Sequence, residues 1–292
     1  MFWKSTRKRS PSSKIDLSQA TFIIPIRLES DDRIRNLITT LSYILQQMQT
    51  SIIIKESDKE SKFEQKVLPK IKERLDKSDC QLNYQFEYSE DPAFHRQRIL
   101  NDMIVEATTP VVINYDCDVL LPLASYEKAY RLILDRKADL VYPYAKGKFQ
   151  RQVFAENSLI QTFLDSGMSL AIFRGYTQKF DAQYGFCQFF LRDSYIEGGM
   201  ENENFVSYAP EDFERHFRFK TLGYNIKRIK NIIYHIEHSR TDNSSRSNPN
   251  MASNEAEWEK IQKFNRKELW QYISDQKYYK QRMNQLKNSS SR

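Results

Sequence analysis

Thr21-Phe22-Ile23-Ile24-Pro25-Ile26 is a short, uninterrupted apolar run, and it reads as a strand buried on both faces. The chain on its carboxyl side decides the fold. Residues 31–48 place Ile34, Leu37, Ile38, Leu41, Ile44, Leu45 and Met48 at helical spacing, with Ser30 or Asp31 positioned to cap the first turn. Ser51-Ile52-Ile53-Ile54 is the next strand. Residues 61–75 read as a helix carrying Pro69, Leu82 to Tyr88 alternates as a strand, and His95 to Ala107 returns to helical spacing. Pro110-Val111-Val112-Ile113-Asn114-Tyr115 is a second fully apolar strand, with a helix near 124–135 and a strand at 139–143 behind it. Strict β-α alternation predicts a parallel, doubly wound α/β sheet. Such sheets bind ligands beyond the carboxyl ends of their strands, so the chemistry is expected just after Ile26, Ile54 and Tyr115.

Beyond residue 150 the pattern loosens. A helix is expected at 156–166, a strand at 185–191, a helix from Glu211 to Leu222 stopped by Gly223, and β-like chain from Asn225 to His235. Ser239 to Asn254 is a run of Ser, Asn, Arg and Pro that reads as a mobile loop. A helical segment rich in Trp, Tyr and Lys comes last. The organisation expected is a basic, flexible N-terminus (1–15), a main domain (16–254) in two halves, about 16–145 and about 146–254, and a helical basic-aromatic extension (255–292).

The 292 residues are 40% hydrophobic and 28% charged, and no apolar run approaches the ~20 residues of a membrane helix. No apolar stretch backs the basic start, so no signal peptide is expected. Three well-separated cysteines, Cys80, Cys117 and Cys187, exclude a disulfide framework and fit a reducing cytoplasm. The net charge of +7 gathers at the ends: residues 1–14 carry five Lys/Arg and no acid, and residues 255–292 carry nine Lys/Arg against five Asp/Glu. A near-neutral body argues against nucleic acid as a partner. Basic ends beside aromatics would suit peripheral contact with the anionic inner face of a membrane.

Four groups of residues offer chemistry. Asp116-Cys117-Asp118 comes directly after the second apolar strand, and two carboxylates on a turn can converge on a hard cation or simply face solvent. His235 and His238 lie three apart in β-like chain, where a regular strand points them to opposite faces, so they share a metal only if the chain bends. Arg96 and Arg98 open a helix where phosphate could meet free backbone N–H groups, and Arg27 at the end of the first strand could also reach an anion. Glu211 and Asp212 sit just after Pro210, where acids favour the positive end of a helix; the functional alternative is general-base catalysis on a hydroxyl.

Taken in order, Ile23-Ile24-Pro25-Ile26-Arg27, Phe94-His95-Arg96 with Leu100-Asn101, Asp116-Cys117-Asp118, Gly198-Gly199-Met200 with Glu211-Asp212, and His235-Ile236-Glu237-His238-Ser239-Arg240 resemble the β-1,4-galactosyltransferases and their bacterial relatives, including chondroitin-type polymerase domains, over residues 20–250. The resemblance implies the nucleotide-diphospho-sugar transferase (GT-A) fold, a Rossmann-like mixed sheet with helices on both faces, and an inverting, metal-dependent glycosyltransferase. By the same resemblance, Pro25, Arg27, Phe94 and Arg96 hold uridine diphosphate, Asp116 and Cys117 lie near the nucleotide, and Asp118, His235 and His238 bind the metal. Asp212 is then the base, with Glu211 contacting sugar hydroxyls, and the loop after His238 is a lid. The chain departs from the pattern in two places. Tyr208-Ala209-Pro210 replaces a Trp-Gly-Gly, leaving Tyr208 to stack on sugar, and Leu28-Glu29 stands where relatives carry polar and basic residues.

The expected reaction moves a hexose or N-acetylhexosamine, galactose or GalNAc favoured, from a UDP-sugar to a glycan or lipid-linked oligosaccharide acceptor, in bacterial surface polysaccharide synthesis. One carboxylate with two imidazoles suits manganese better than magnesium, which prefers oxygen ligands. The competing readings are a nucleotidyltransferase, which would need neither the histidine pair nor Glu211-Asp212, and a non-catalytic sugar- or nucleotide-binding module.

Overall fold

The computed structural model describes residues 14–290, so most of the expected basic N-terminus lies outside the described residues. Strand β1 (Ile15–Ile26), helix α1 (Asp31–Gln47), β2 (Met48–Asp58), α2 (Leu68–Asp76), β3 (Gln81–Tyr88), α3 (Arg96–Glu106) and β4 (Val111–Tyr115) realise the expected alternation. Pro69 falls where a π-helical turn, Phe63–Val67, passes into the start of α2. Pro25 is tolerated in a central strand because the β1–β4 ladder ends at Ile23↔Asn114, so Pro25 is flanked only by β2.

After β4 come β5 (Val119–Leu120), α4 (Leu123–Leu134), β6 (Leu140–Tyr142), β7 (Gln150–Val153), α5 (Asn157–Asp165), β8 (Thr177–Lys179), β9 (Cys187–Leu191), α6 (Arg192–Glu197), α7 (Glu211–Leu222), β10 (Ile226–Arg228) and β11 (Ile233–Ile236). The main sheet has the order β10-β6-β9-β4-β1-β2-β3. It is mixed rather than wholly parallel, because β9 runs antiparallel to both β4 and β6. Periodicity finds strands but not their direction, and β9 lies beyond the regular alternation. A smaller sheet, β5-β11-β7-β8, stands beside the carboxyl end of β4.

Helices cover both faces of the main sheet, as β4 shows residue by residue. Asn114 meets Arg96 of α3 and Tyr195 of α6, whereas the next residue, Tyr115, hydrogen-bonds Tyr126 of α4 on the opposite face. Between these layers Phe22, Ile23, Ile24, Val112 and Ile113 are fully buried. Gly223 ends α7 in the left-handed conformation (φ 92°). Helices α8 (Met251–Ile261), α9 (Arg266–Asp275) and α10 (Lys277–Ser290) complete the chain, and α8 starts inside the stretch expected to be loop. Ile261, Leu269 and Ile273 form a second apolar cluster with Phe205 and Leu222, docking these helices on α7. No described helix is long and apolar enough to cross a membrane.

Candidate metal and catalytic site

Two strands bring the metal candidates together. The chain leaves β4 through Asp116-Cys117-Asp118 and enters β5, which pairs antiparallel with β11 and sets His235 opposite Val119. Ile236 N–H donates to the Asp118 carbonyl at 2.7 Å. β11 then ends, and helix α1 fixes the bend. Asn36 Nδ2 donates to the Ile236 and Glu237 carbonyls (3.0 and 3.1 Å), Arg35 Nη2 to the Glu237 carbonyl (3.1 Å), and Asp32 Oδ2 accepts from Ser239 N–H and Oγ–H (2.5 and 2.7 Å). The strand-like separation of the two imidazoles is thereby cancelled. Nε2 of His235 and of His238 lie 3.7 and 3.1 Å from Asp118 Oδ2, and the three ligand atoms fall within 4.8 Å of one another.

The triad fits a divalent cation. His238 Nδ1 lies 2.8 Å from the Ser239 carbonyl, which can only accept, so Nδ1 carries the proton and Nε2 turns its lone pair to Asp118. That contact is favourable only with a proton or a cation between the two atoms. His235 packs between Phe180 and Phe186, and burial pushes its pKa down to about 4, which keeps it neutral and ready to ligate. Burial works against the Asp118 charge, but His235, His238 and Arg33 hold its carboxyl below the usual range. One carboxylate and two imidazoles suit a first-row transition ion.

Beside the triad, Asp116 Oδ1 accepts from Arg96 Nη2 at 2.7 Å and its Oδ2 from Phe186 N–H at 3.2 Å. Burial raises its pKa to about 6 against the pull of Arg96, with Asp118 and Asp212 adding to the rise. Cys117 stays a thiol, because burial and Asp118 push its pKa well up. Glu211 and Asp212, at the start of α7, are near enough to Arg96 for their charges to act on it. Asp212 Oδ1 accepts from Arg215 Nη1 at 2.6 Å, one turn along the helix. Arg215 is wholly buried and is gripped by Glu201 through Nε and Nη2 (2.6 and 2.7 Å). Asp212 also leans on Gly185, where a Cβ would stand 2.7 Å from Oδ2. Glu211 Oε2 is shut off from water and has no hydrogen-bond partner, and burial beside Asp212 raises the Glu211 pKa to about 8.

Of the remaining candidates only Arg27 lines a cleft of about 800 Å³ beyond β1, β2 and β3, whose walls include Glu29, Lys62, His95, Ser207, Asn243 and Asn250. The three nitrogens of Arg27 donate to the carbonyls of Ser57, Pro92 and Asp91, each at 2.9 Å, so it ties the end of β2 to the loop after β3. Pro25 stays within the sheet. Phe94 lies under Arg27 (5.7 Å), and its N–H donates to Ser207 Oγ (3.0 Å) and Asn243 Oδ1 (2.8 Å). Arg98, the other arginine opening α3, is paired with Glu87. The Tyr208 side chain is exposed, while its carbonyl accepts from Asn248 and Asn254 (2.7 and 3.2 Å).

The segment expected to be a mobile loop is fastened by polar bonds in place of apolar burial. Glu29 receives Thr241 Oγ1 (2.6 Å) and Asn243 Nδ2 (2.8 Å), and Asn248 and Asn254 are buried. Low apolar content hid this, because asparagine amides can pin backbone as firmly as leucines fill a core. Sequence reading also passed over Asp32, Arg35, Asn36, Glu201 and Arg215. Asn36 left a readable signal: it is a wholly buried amide inside the apolar stripe of α1.

Neither a protein-family model nor a curated protein sequence matches the chain. Among solved structures it is similar to the mannosyltransferase PcManGT from Pyrobaculum calidifontis in complex with GDP-Man and Mn2+, at 12% identity and a TM-score of 0.46, over 75% of this chain and 56% of that one. It is also similar to GalNAc-T7 with UDP, GalNAc and Mn2+, at 11% identity and a TM-score of 0.48, over 75% of this chain and 44% of that one. The chain spans about half the length of these two structures.

Proposed function

We propose that the chain is a metal-dependent, inverting glycosyltransferase of the GT-A fold. In this reading it transfers a hexose or N-acetylhexosamine, galactose or GalNAc favoured, from a UDP-sugar to a glycan or lipid-linked oligosaccharide acceptor of a bacterial surface polysaccharide. The observation that carries the reading is the convergence of Asp118, His235 and His238 at the carboxyl end of β4, with Arg96, Glu211 and Asp212 alongside. A nucleotidyltransferase would need neither the histidine pair nor Glu211–Asp212, whereas transfer from a nucleotide sugar has a use for each of these groups. Mn2+ is the proposed ion on the strength of the donor set.

The nucleoside would enter the cleft, with the loop after His238 as its lid: Thr241, Asp242, Asn243 and Asn248 line the cleft, and Thr241 and Asn243 would have to let go of Glu29 to admit it. When bound, the divalent ion supplies charge to offset that of the departing diphosphate. Arg96, already beside Asp116, adds a second positive charge from the helix α3 side. Asp212 takes the proton of the acceptor hydroxyl as that oxygen attacks the anomeric carbon and the bond to the diphosphate breaks. Arg215 holds Asp212 in one orientation and is itself held by Glu201, so the base is pre-aimed by a buried scaffold. A single base with no covalent intermediate inverts the anomeric centre. Glu211, protonated near neutrality, offers a hydrogen-bond donor to the sugar. The exposed rings of Tyr208 and Phe213 offer apolar faces for the acceptor. The test is a screen of UDP-sugars with and without Mn2+, scored by UDP release and product linkage; absence of turnover with every donor and acceptor class would refute the reading.

A further inference from the structure

We propose that Arg33 is a ligand of the donor diphosphate, receiving phosphate oxygens on its guanidinium beside the Asp118–His235–His238 triad. The inference rests on the glycosyltransferase reading above and adds a residue that reading does not use.

The first observation is a set of unused donors. Arg33 stands in the first turn of α1, and its Nε and Nη2 are closed off from water with no hydrogen-bond partner. Among the described residues no carboxylate lies within ion-pair distance of it. Its neighbours around the site each have partners within the protein. Arg27 is spent on three carbonyls, Arg35 on Ala155, Glu237 and Asn36, Arg96 on Asp116 and Asn114, and Arg215 on Glu201 and Asp212. A guanidinium stays charged under all ordinary conditions, so leaving two of its donors dry and unpaired is costly unless a ligand completes them.

The second observation is place. Arg33 stands in the turn of α1 whose Asp32, Arg35 and Asn36 hold the backbone of residues 236–239 between the two histidines of the triad, and its charge acts on Asp118, Cys117 and His235. A permanent cation next to a cation site works against that site by itself. The arrangement makes sense when an anion sits between them, and a diphosphate is such an anion: the guanidinium fork matches phosphate oxygens in pairs.

The third observation is Glu29. This acid lines the cleft, but its carboxylate is employed as the catch for Thr241 and Asn243. The unpaired guanidinium of Arg33 stands four residues further on, in the first turn of α1.

The experiment is calorimetry on the full chain with Arg33→Met and Arg33→Lys, using UDP, uridine and Mn2+ as separate probes, together with urea unfolding. At saturating Mn2+, Arg33→Met should weaken UDP binding roughly 10–100-fold, the range for loss of charge-assisted hydrogen bonds. Arg33→Lys should fall between it and wild type. Uridine binding should not change, Mn2+ alone should bind as well or better, and the unfolding midpoint should hold or rise. UDP affinity within twofold of wild type in Arg33→Met would overturn the inference while leaving the functional reading intact. Equal losses for UDP and uridine with a lowered midpoint would assign Arg33 a structural role and overturn it as well. Wild-type protein that binds no UDP with Mn2+ present would overturn both.

Discussion

Replacing Glu211 by Gln should stabilise the protein, and by an amount that grows with pH. Glu211 Oε2 is sealed from water without a hydrogen-bond partner, and Asp212 is its immediate neighbour. Burial first, and the Asp212 charge second, raise its pKa from the ordinary 4.5 to about 8. In the unfolded chain the same carboxyl ionises near 4.5. Between these values the folded state must hold a proton that the unfolded state releases, so stability falls as pH rises from about 4.5 and levels off above about 8. At about 1.4 kcal/mol per pH unit, the full penalty at pH 7 would be roughly 3 kcal/mol. Because the residue is part-exposed, about 2–3 kcal/mol is a fairer figure, or a rise in Tm of roughly 4–8 °C. Gln keeps the shape and has no proton to lose. The assay is urea unfolding of both proteins at pH 5, 7 and 8.5 with a common slope. The two should agree near pH 5 and diverge steadily to pH 8.5, the variant being the more stable. A difference independent of pH, or a variant less stable at every pH, would show that Glu211 is ionised in the folded protein and would refute the account of this site.

Four further outcomes are expected. His238→Ala or Asp118→Asn should weaken Mn2+ and UDP binding together in calorimetry; unchanged binding of both would mean that the triad is not the metal site. Asp212→Asn should leave UDP binding near wild type and lower turnover by roughly 10²–10⁴-fold, the usual worth of a positioned acid or base; normal turnover would leave the acid pair a helix-start feature only. Arg215→Met should cost about 3–5 kcal/mol in denaturant unfolding, because Glu201 would remain buried without its partner; a loss below ~1 kcal/mol would contradict the buried ion network. Asn243→Ala should speed trypsin cleavage at Arg240 and Arg246, and Mn2+ with UDP should slow it in wild type; equal rates throughout would remove the lid.

The run of strands and helices from Thr21 to Tyr142 was legible because each element buries a face, and burial writes its period into the sequence. Strand β9 was visible as a strand but not as an antiparallel one, since direction is set by a non-local connection that leaves no local signature. The triad was legible only in part. Asp118 could be placed from the strand before it, while the two histidines, read locally, pointed apart. The groups that join them lie some 200 residues earlier: Asp32, Arg35 and Asn36 on α1 take up the backbone groups of residues 236–239 as β11 ends. A bend stabilised from a distance cannot be read from the bent segment. It can be read from its support, because a buried amide such as Asn36 has to find backbone partners or carry the cost of unmet hydrogen bonds. Arg33 belongs to the same helix turn and poses the same question, since two of its donors find no partner among the described residues. Asn36 answers with the strand that carries His235; for Arg33 the answer proposed is a bound anion, the group complementary to a guanidinium beside a candidate cation site.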